Sequence, residues 1–239
     1  MTENQEIINL VQKERYTFED LVAIMRILRS ENGCPWDREQ DHHSIRKCLI
    51  EETYEVVEAI DTENPTLLCE ELGDLLFQIV FHAQIETEKD AFDLTDVIDE
   101  ISRKMVHRHP HVFGTVEVEN SGEVLKNWEN IKTEEKQRNT LSEKLRAIPP
   151  MMPSLMRASK VAKKAGQAEG KSAEELLQTL ATEVMADEKR LDDPTVSAEL
   201  IGSLLMRVTD LARALDVDAE HALSQETDRL IRRVEEQGL

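Results

Sequence analysis

Between Ile50 and Val80 the chain reads IEETYEVVEAIDTENPTLLCEELGDLLFQIV, and two matched pairs of acids there constrain what it can become. Glu52 and Glu55 stand three apart, and so do Glu71 and Asp74. Residues three apart share a helix face. The turn signal Asn64-Pro65 divides the stretch into two helices. Side by side, these helices bring four carboxylates together, and the collected charge needs a balancing cation. Mg²⁺ takes oxygen ligands and is commonly held by carboxylates together with phosphates.

A simpler reading competes with this one. The apolar stripe of the first helix is Ile50, Tyr54, Val57 and Ile60, and that of the second is Leu68, Leu72, Leu75, Leu76 and Ile79. The carboxylates lie away from these stripes, where an amphipathic helix ordinarily places acids simply to meet water. Spacing alone leaves both readings open. Two details favour a site. The pairs are matched, one per helix, and Gly73 falls inside the second pair. A mid-helix glycine costs about 1 kcal/mol against alanine, and it often marks close packing or a functional approach.

A length of 239 residues suits one large or two small domains with a real core. Net charge is −20, which argues against nucleic acid as a partner because phosphate contacts need Lys and Arg. A small anionic ligand stays compatible if a metal and a local basic cluster overcome the field. Cys34, Cys48 and Cys69 have neither disulfide-framework nor zinc-site spacing. The N-terminus lacks a signal-peptide apolar region, and no run is long enough for a membrane span. The expectation is a soluble, cytoplasmic protein.

Aromatic residues make up 4% of the chain and strand-like alternation is nearly absent, so the class expected is all-α, a helical bundle. Helices are expected after the cap Thr17, from about Ser44 through the acidic pair, from about Thr95 to Arg108, and from Glu123 to Lys136. A polar stretch, Glu134 to Ser142, leads to Ile148-Pro149-Pro150, and here two domains are divided, 1–139 and 140–239. The second resembles the first. LATEVMADEKR echoes LIEETYEVVEA, and LIGSLLMRV echoes ELGDLLFQI, which reads as an internal duplication. Glu183 stands for Glu52, but Ala186, Leu200 and Ser203 fall where Glu55, Glu71 and Asp74 stood. The second copy is therefore expected to be degenerate and structural, with the apolar Leu204, Leu205 and Val208 calling for a partner and a homodimer expected.

Basic groups are the natural complement to a phosphate. Lys104 and Arg108 are four apart on one helix face, and Lys132 follows Trp128 at the same spacing. Arginine can grip phosphate bidentately, although exposed Lys and Arg usually do no more than meet water. Trp128 suits stacking on a base or a place in a core, and Trp36 carries the same two readings. His109 and His111 flank Pro110, where phosphate contact and a helix-ending turn are equally good accounts.

These motifs resemble the MazG-type nucleoside triphosphate pyrophosphohydrolases. The resemblance rests on Glu51-Glu52-x-x-Glu55 with Glu71-x-x-Asp74, on GCPWD at 33–37, RHPHVFG at 108–114 and NWENIKTEEK at 127–136. It covers roughly residues 18–136, with a weaker likeness beyond. It implies an all-α fold and Mg²⁺-dependent hydrolysis of nucleoside triphosphates to monophosphate and pyrophosphate, in the removal of unwanted nucleotides. Glu52, Glu55, Glu71 and Asp74 would hold Mg²⁺, with Mn²⁺ as an alternative. Glu51 would orient the site or act as a base. Lys104 and Arg108 would act on the phosphates in catalysis, and with Trp128 and Lys132 they would bind substrate. A non-catalytic helical module that senses nucleotides or binds partners is the alternative. A di-iron bundle is disfavoured because Glu-x-x-His is missing from both helices.

Overall fold

The computed structural model describes residues 2–135, 140–186 and 194–238. These form thirteen helices and no strand, so the class is all-α as the patterning requires. Two compact units divide the chain, Met1–Leu125 and Lys126–Leu239. Lys136 and Asp187–Arg190, which the sequence reading placed on helices, lie outside the described residues.

The first unit opens with a helix that the polar N-terminus did not announce, α1 (Glu3–Val11). It continues with α2 (Phe18–Leu28), α3 (Pro35–Glu39), α4 (Arg46–Asp61), α5 (Pro65–Thr87), α6 (Leu94–Arg108), α7 (Pro110–Phe113) and the start of α8 (Ser121–Glu135). Local chemistry sets the boundaries. Thr17 and Asp20 form a reciprocal capping box at the head of α2. Asn64 accepts from the Thr66 and Leu67 amides at 3.2 Å, and Pro65 takes the first helical position of α5, where its missing N–H goes unused. α3 interrupts what the sequence suggested was a loop. Gly33 just before it is needed for close approach, since a Cβ there would lie 2.3 Å from the Ile27 and Leu28 carbonyl oxygens.

α5 is the centre of this unit and packs against α2, α4 and α6. Met25, Ile45, Val80, Phe81 and Ile85 form the buried core, with Leu21, Val22, Phe77 and Leu94 packed around it. Each large side chain buried there contributes about 1.5–3 kcal/mol. The apolar stripes proposed from periodicity behave differently. Ile50, Tyr54, Val57 and Ile60 on α4, and Leu72, Leu76 and Ile79 on α5, are all exposed. α4 buries only Ala59, while α5 buries its C-terminal half, at Gln78, Val80, Phe81, Ala83 and Ile85. The core thus gathers at one end of the α4–α5 pair, and the acids occupy the other.

The second unit holds the rest of α8 and α9 (Leu141–Arg146), α10 (Ser154–Lys164), α11 (Ala173–Ala186), α12 (Pro194–Ala214) and α13 (Ala219–Glu236). α12 packs on α10, α11 and α13. Ile148, Ala162, Leu176 and Leu200 are buried there, as are Thr209 and Asp210. Glu220 of α13 accepts from the Leu155 amide at 3.1 Å and so caps α10 from a distant part of the chain. Among the described residues no helix is long and apolar enough to cross a membrane.

Candidate active site

α4 and α5 run beside each other, and the acid pairs meet between them. Glu52, Glu55 and Glu71 each offer a carboxylate oxygen within 4.8 Å of the other two. Glu52 and Glu71 are half-buried and Glu55 is exposed.

The electrostatics follow from that geometry. Burial is the first cause raising the Glu52 carboxyl above its ordinary value, followed by the charges of Glu55 and Asp74, a hydrogen bond with Glu55, and the charge of Glu71. Burial likewise leads in raising Glu71, followed by the charges of Glu55, Glu70, Asp74 and Glu58. Every one of these influences opposes ionisation. The close triad forms without Asp74, which stands at its margin and is felt by both Glu52 and Glu71. Glu51 pairs with Lys47 at 2.9 Å on the exposed side of α4. The donors are oxygen only, crowded and mutually repelling. This set fits a hard divalent cation, which would add an attraction opposing that repulsion.

Several of the other residues singled out from sequence have partners of their own. Lys104 reaches Glu100 at 2.6 Å on α6, and Arg108, one turn further, is buried. His109 Nδ1 donates to the Met105 carbonyl at 2.6 Å, which supports the helix-ending account of that histidine. His111 Nδ1 is buried without a partner in the structure. Trp36 is 59% exposed on α3. In the second unit, the Lys132 ammonium sits 4.3 Å from the Trp128 ring centroid, a cation–π contact, and 3.4 Å from Glu129. Gly73 has no neighbour within 4 Å of an added Cβ, so close packing inside this chain does not explain it.

Sequence reasoning missed one cluster, His42 with His82 and Glu86. The only signal for it was His82 and Glu86, four apart on one face of α5.

Comparison with known proteins identifies the family. Residues 40–113, which include all the clustered acids, match the family model described as "MazG nucleotide pyrophosphohydrolase domain". The chain is 42% identical over 218 residues to "Nucleoside triphosphate pyrophosphohydrolase/pyrophosphatase MazG" of Thermotoga maritima, covering 90% of this chain and 83% of that protein. It is 42% identical over 229 residues to "Nucleoside triphosphate pyrophosphohydrolase" of Escherichia coli K12, covering 90% of this chain and 85% of that protein. A crystal structure of a mazG-related protein from Thermotoga maritima aligns with 48% of this chain and 98% of its own, at 29% identity and a TM-score of 0.42. By its identity to relatives along most of its length, the chain belongs to the MazG family.

Proposed function

We propose that this chain is a nucleoside triphosphate pyrophosphohydrolase that depends on Mg²⁺, or on Mn²⁺, and removes unwanted nucleotides by releasing monophosphate and pyrophosphate. The observation that carries the reading is the triad of Glu52, Glu55 and Glu71, closed within 4.8 Å and raised in pKa by burial and mutual repulsion. The names of the relatives support the substrate class. Glu52, Glu55, Glu71 and Asp74 would hold the metal, which when bound supplies charge neutralisation at phosphate oxygens and a more acidic water.

The remaining roles belong to the chain's own side chains. Lys104 and Arg108 bind phosphate oxygens, and Lys104 exchanges Glu100 for the ligand as it does so. Glu51 orients the attacking water or accepts its proton, after release from Lys47. Trp128 and Lys132 belong to the second unit, and their roles on base and phosphate rest on the sequence motif. Lys132 has to leave the Trp128 ring first, because its ammonium now covers that face. The active form is a homodimer in which a second copy covers the exposed stripe of α4 and α5, where Tyr54 alone is 57% exposed.

The test is product analysis on a panel of triphosphates with and without Mg²⁺. Pyrophosphate and monophosphate should appear together, and only with metal. Because protons compete with the metal at Glu52 and Glu71, whose pKa values are raised, the Mg²⁺ needed for half-maximal rate should climb as pH falls. Orthophosphate as the first product, or full turnover in chelator, would refute the reading.

A further inference from the structure

His42 lies in the turn that leads into α4, and His82 lies in the buried half of α5. Their Nδ1 atoms are 2.7 Å apart, their centroids 5.0 Å apart and their planes inclined by 13°. The centroid separation exceeds the nitrogen separation by about the width of one ring. The rings therefore meet edge to edge, nearly in one plane, with both Nδ1 atoms between the centroids. This is an N–H···N hydrogen bond, which needs one proton between the facing nitrogens. On its other side, His42 Nε2 is 2.5 Å from Glu86 Oε1. A carboxylate only accepts, so that nitrogen carries a proton. Lys89 holds the same Glu86 oxygen at 2.6 Å. His82 Nε2 is buried and has no partner in the structure.

We infer that His42 and His82 form an acid-sensitive clasp, in which one shared proton fastens the turn at residues 40–45 to α5 and a second proton opens it. Counting protons gives the behaviour. A neutral pair shares one N–H. If the pair takes up one proton, His42 as an imidazolium donates Nδ1–H to His82 and Nε2–H to Glu86, neutral His82 carries its own proton on the buried Nε2, and the clasp remains closed. If His82 also becomes charged, two N–H groups face each other at 2.7 Å, and the buried Nε2–H gains no acceptor. Burial first, then the His42 charge, holds His82 below the ordinary histidine range.

Charged and titratable groups surround the pair. The turn supplies Asp41 and His43 beside His42, and α5 supplies Glu86, shared with Lys89. α2 supplies Arg29, which lies over Phe81 and is neutralised by Glu88 at 2.7 Å. The turn ends at Ile45, which is buried in the core, and continues directly into α4 with Glu52 and Glu55. An unfolded His82 takes its proton near the ordinary value and the folded one resists. The clasp is therefore at full strength above that range and weakens as pH falls below it, by up to tenfold in the opening equilibrium per pH unit for one proton.

Hydrogen exchange of the full chain from pH 8 to pH 5, normalised to intrinsic rates, reads this opening in peptides covering residues 40–45. Opening should rise toward tenfold per pH unit below the histidine range. His82→Gln keeps an amide donor for neutral His42 and an amide acceptor for charged His42 but takes no proton, and it should flatten the profile. A flat wild-type profile overturns the clasp, as does an unchanged slope in His82→Gln. If His82→Gln does not fold, nitrogen NMR of labelled wild-type histidines decides: two linked protonation steps support the clasp, and two independent titrations at ordinary values overturn it.

Discussion

The helix pairs α4–α5 and α11–α12 answer the same problem of charge in different ways. In the first, Glu52 faces Glu55, Asp74 and Glu71, and each raises its pKa. In the second, Glu183, the residue aligned with Glu52, meets the Arg207 guanidinium of α12 at 3.3 Å. Where Glu71 stands in the first pair the second has Leu200, only 8% exposed and part of the buried interior. The second pair supplies its own counter-charge and has a buried leucine where the first has a glutamate. The first gathers acids whose nearest charged neighbours across the helix pair are further acids. An anionic cluster becomes a candidate site when its own fold leaves it uncompensated.

The sharpest way to break this contrast is to remove an acid from the first pair. Glu52→Gln should lower metal-dependent pyrophosphate release by more than about 100-fold, the scale on which single groups act on reacting charge, while circular dichroism stays helical. Turnover at the wild-type level with unchanged Mg²⁺ dependence would remove the metal assignment. The reverse exchange tests the second pair. Leu200→Glu places a carboxyl in a buried apolar position and should destabilise the chain by about 3 kcal/mol, measured by urea denaturation. A variant as stable as wild type would mean that this position can accept a charge after all.

A smaller effect separates the two glycines. Gly73 and Gly202 stand at corresponding positions, and an added Cβ meets nothing within 4 Å at either. Alanine should therefore stabilise each helix by about 1 kcal/mol. If Gly73→Ala keeps that gain but loses turnover, something outside the single chain approaches α5 there, whereas Gly202→Ala should leave turnover untouched. The smallest change is expected for Glu183→Gln. Its partly exposed pair with Arg207 contributes at most about 1 kcal/mol, and kcat should stay within about twofold of wild type, the expectation for an acid outside the reacting charge. A loss as large as that of Glu52→Gln, with the fold intact, would give the second unit a site of its own.

Much of the first unit was legible because its signals are local. Thr17 with Asp20, and Asn64 with Pro65, mark helix starts through contacts within four residues, and both starts are where the sequence placed them. The spacing of Glu52 and Glu55, and of Glu71 and Asp74, led to the expectation of four converging carboxylates; three lie within 4.8 Å of one another, and Asp74 is outside that group. The N-terminal helix and α3 were not legible: the first is too polar to show a stripe, and the second spans only five residues.

By itself, then, the sequence determined that this chain is helical, where its main helices begin, and which acids share a face. Periodicity states which side chains lie together on a helix, but not what that face meets. The tertiary structure decided that the core forms around Phe81, Val80, Ile85, Met25 and Ile45, and that the stripe of Ile50, Tyr54 and Leu72 stays uncovered in the single chain. It also decided that His42 meets His82 across 40 positions and that Glu183 meets Arg207 across 24. Such contacts depend on how helices are rotated and docked against one another. That rotation is fixed by the summed packing of many distant side chains, which no short window of sequence contains.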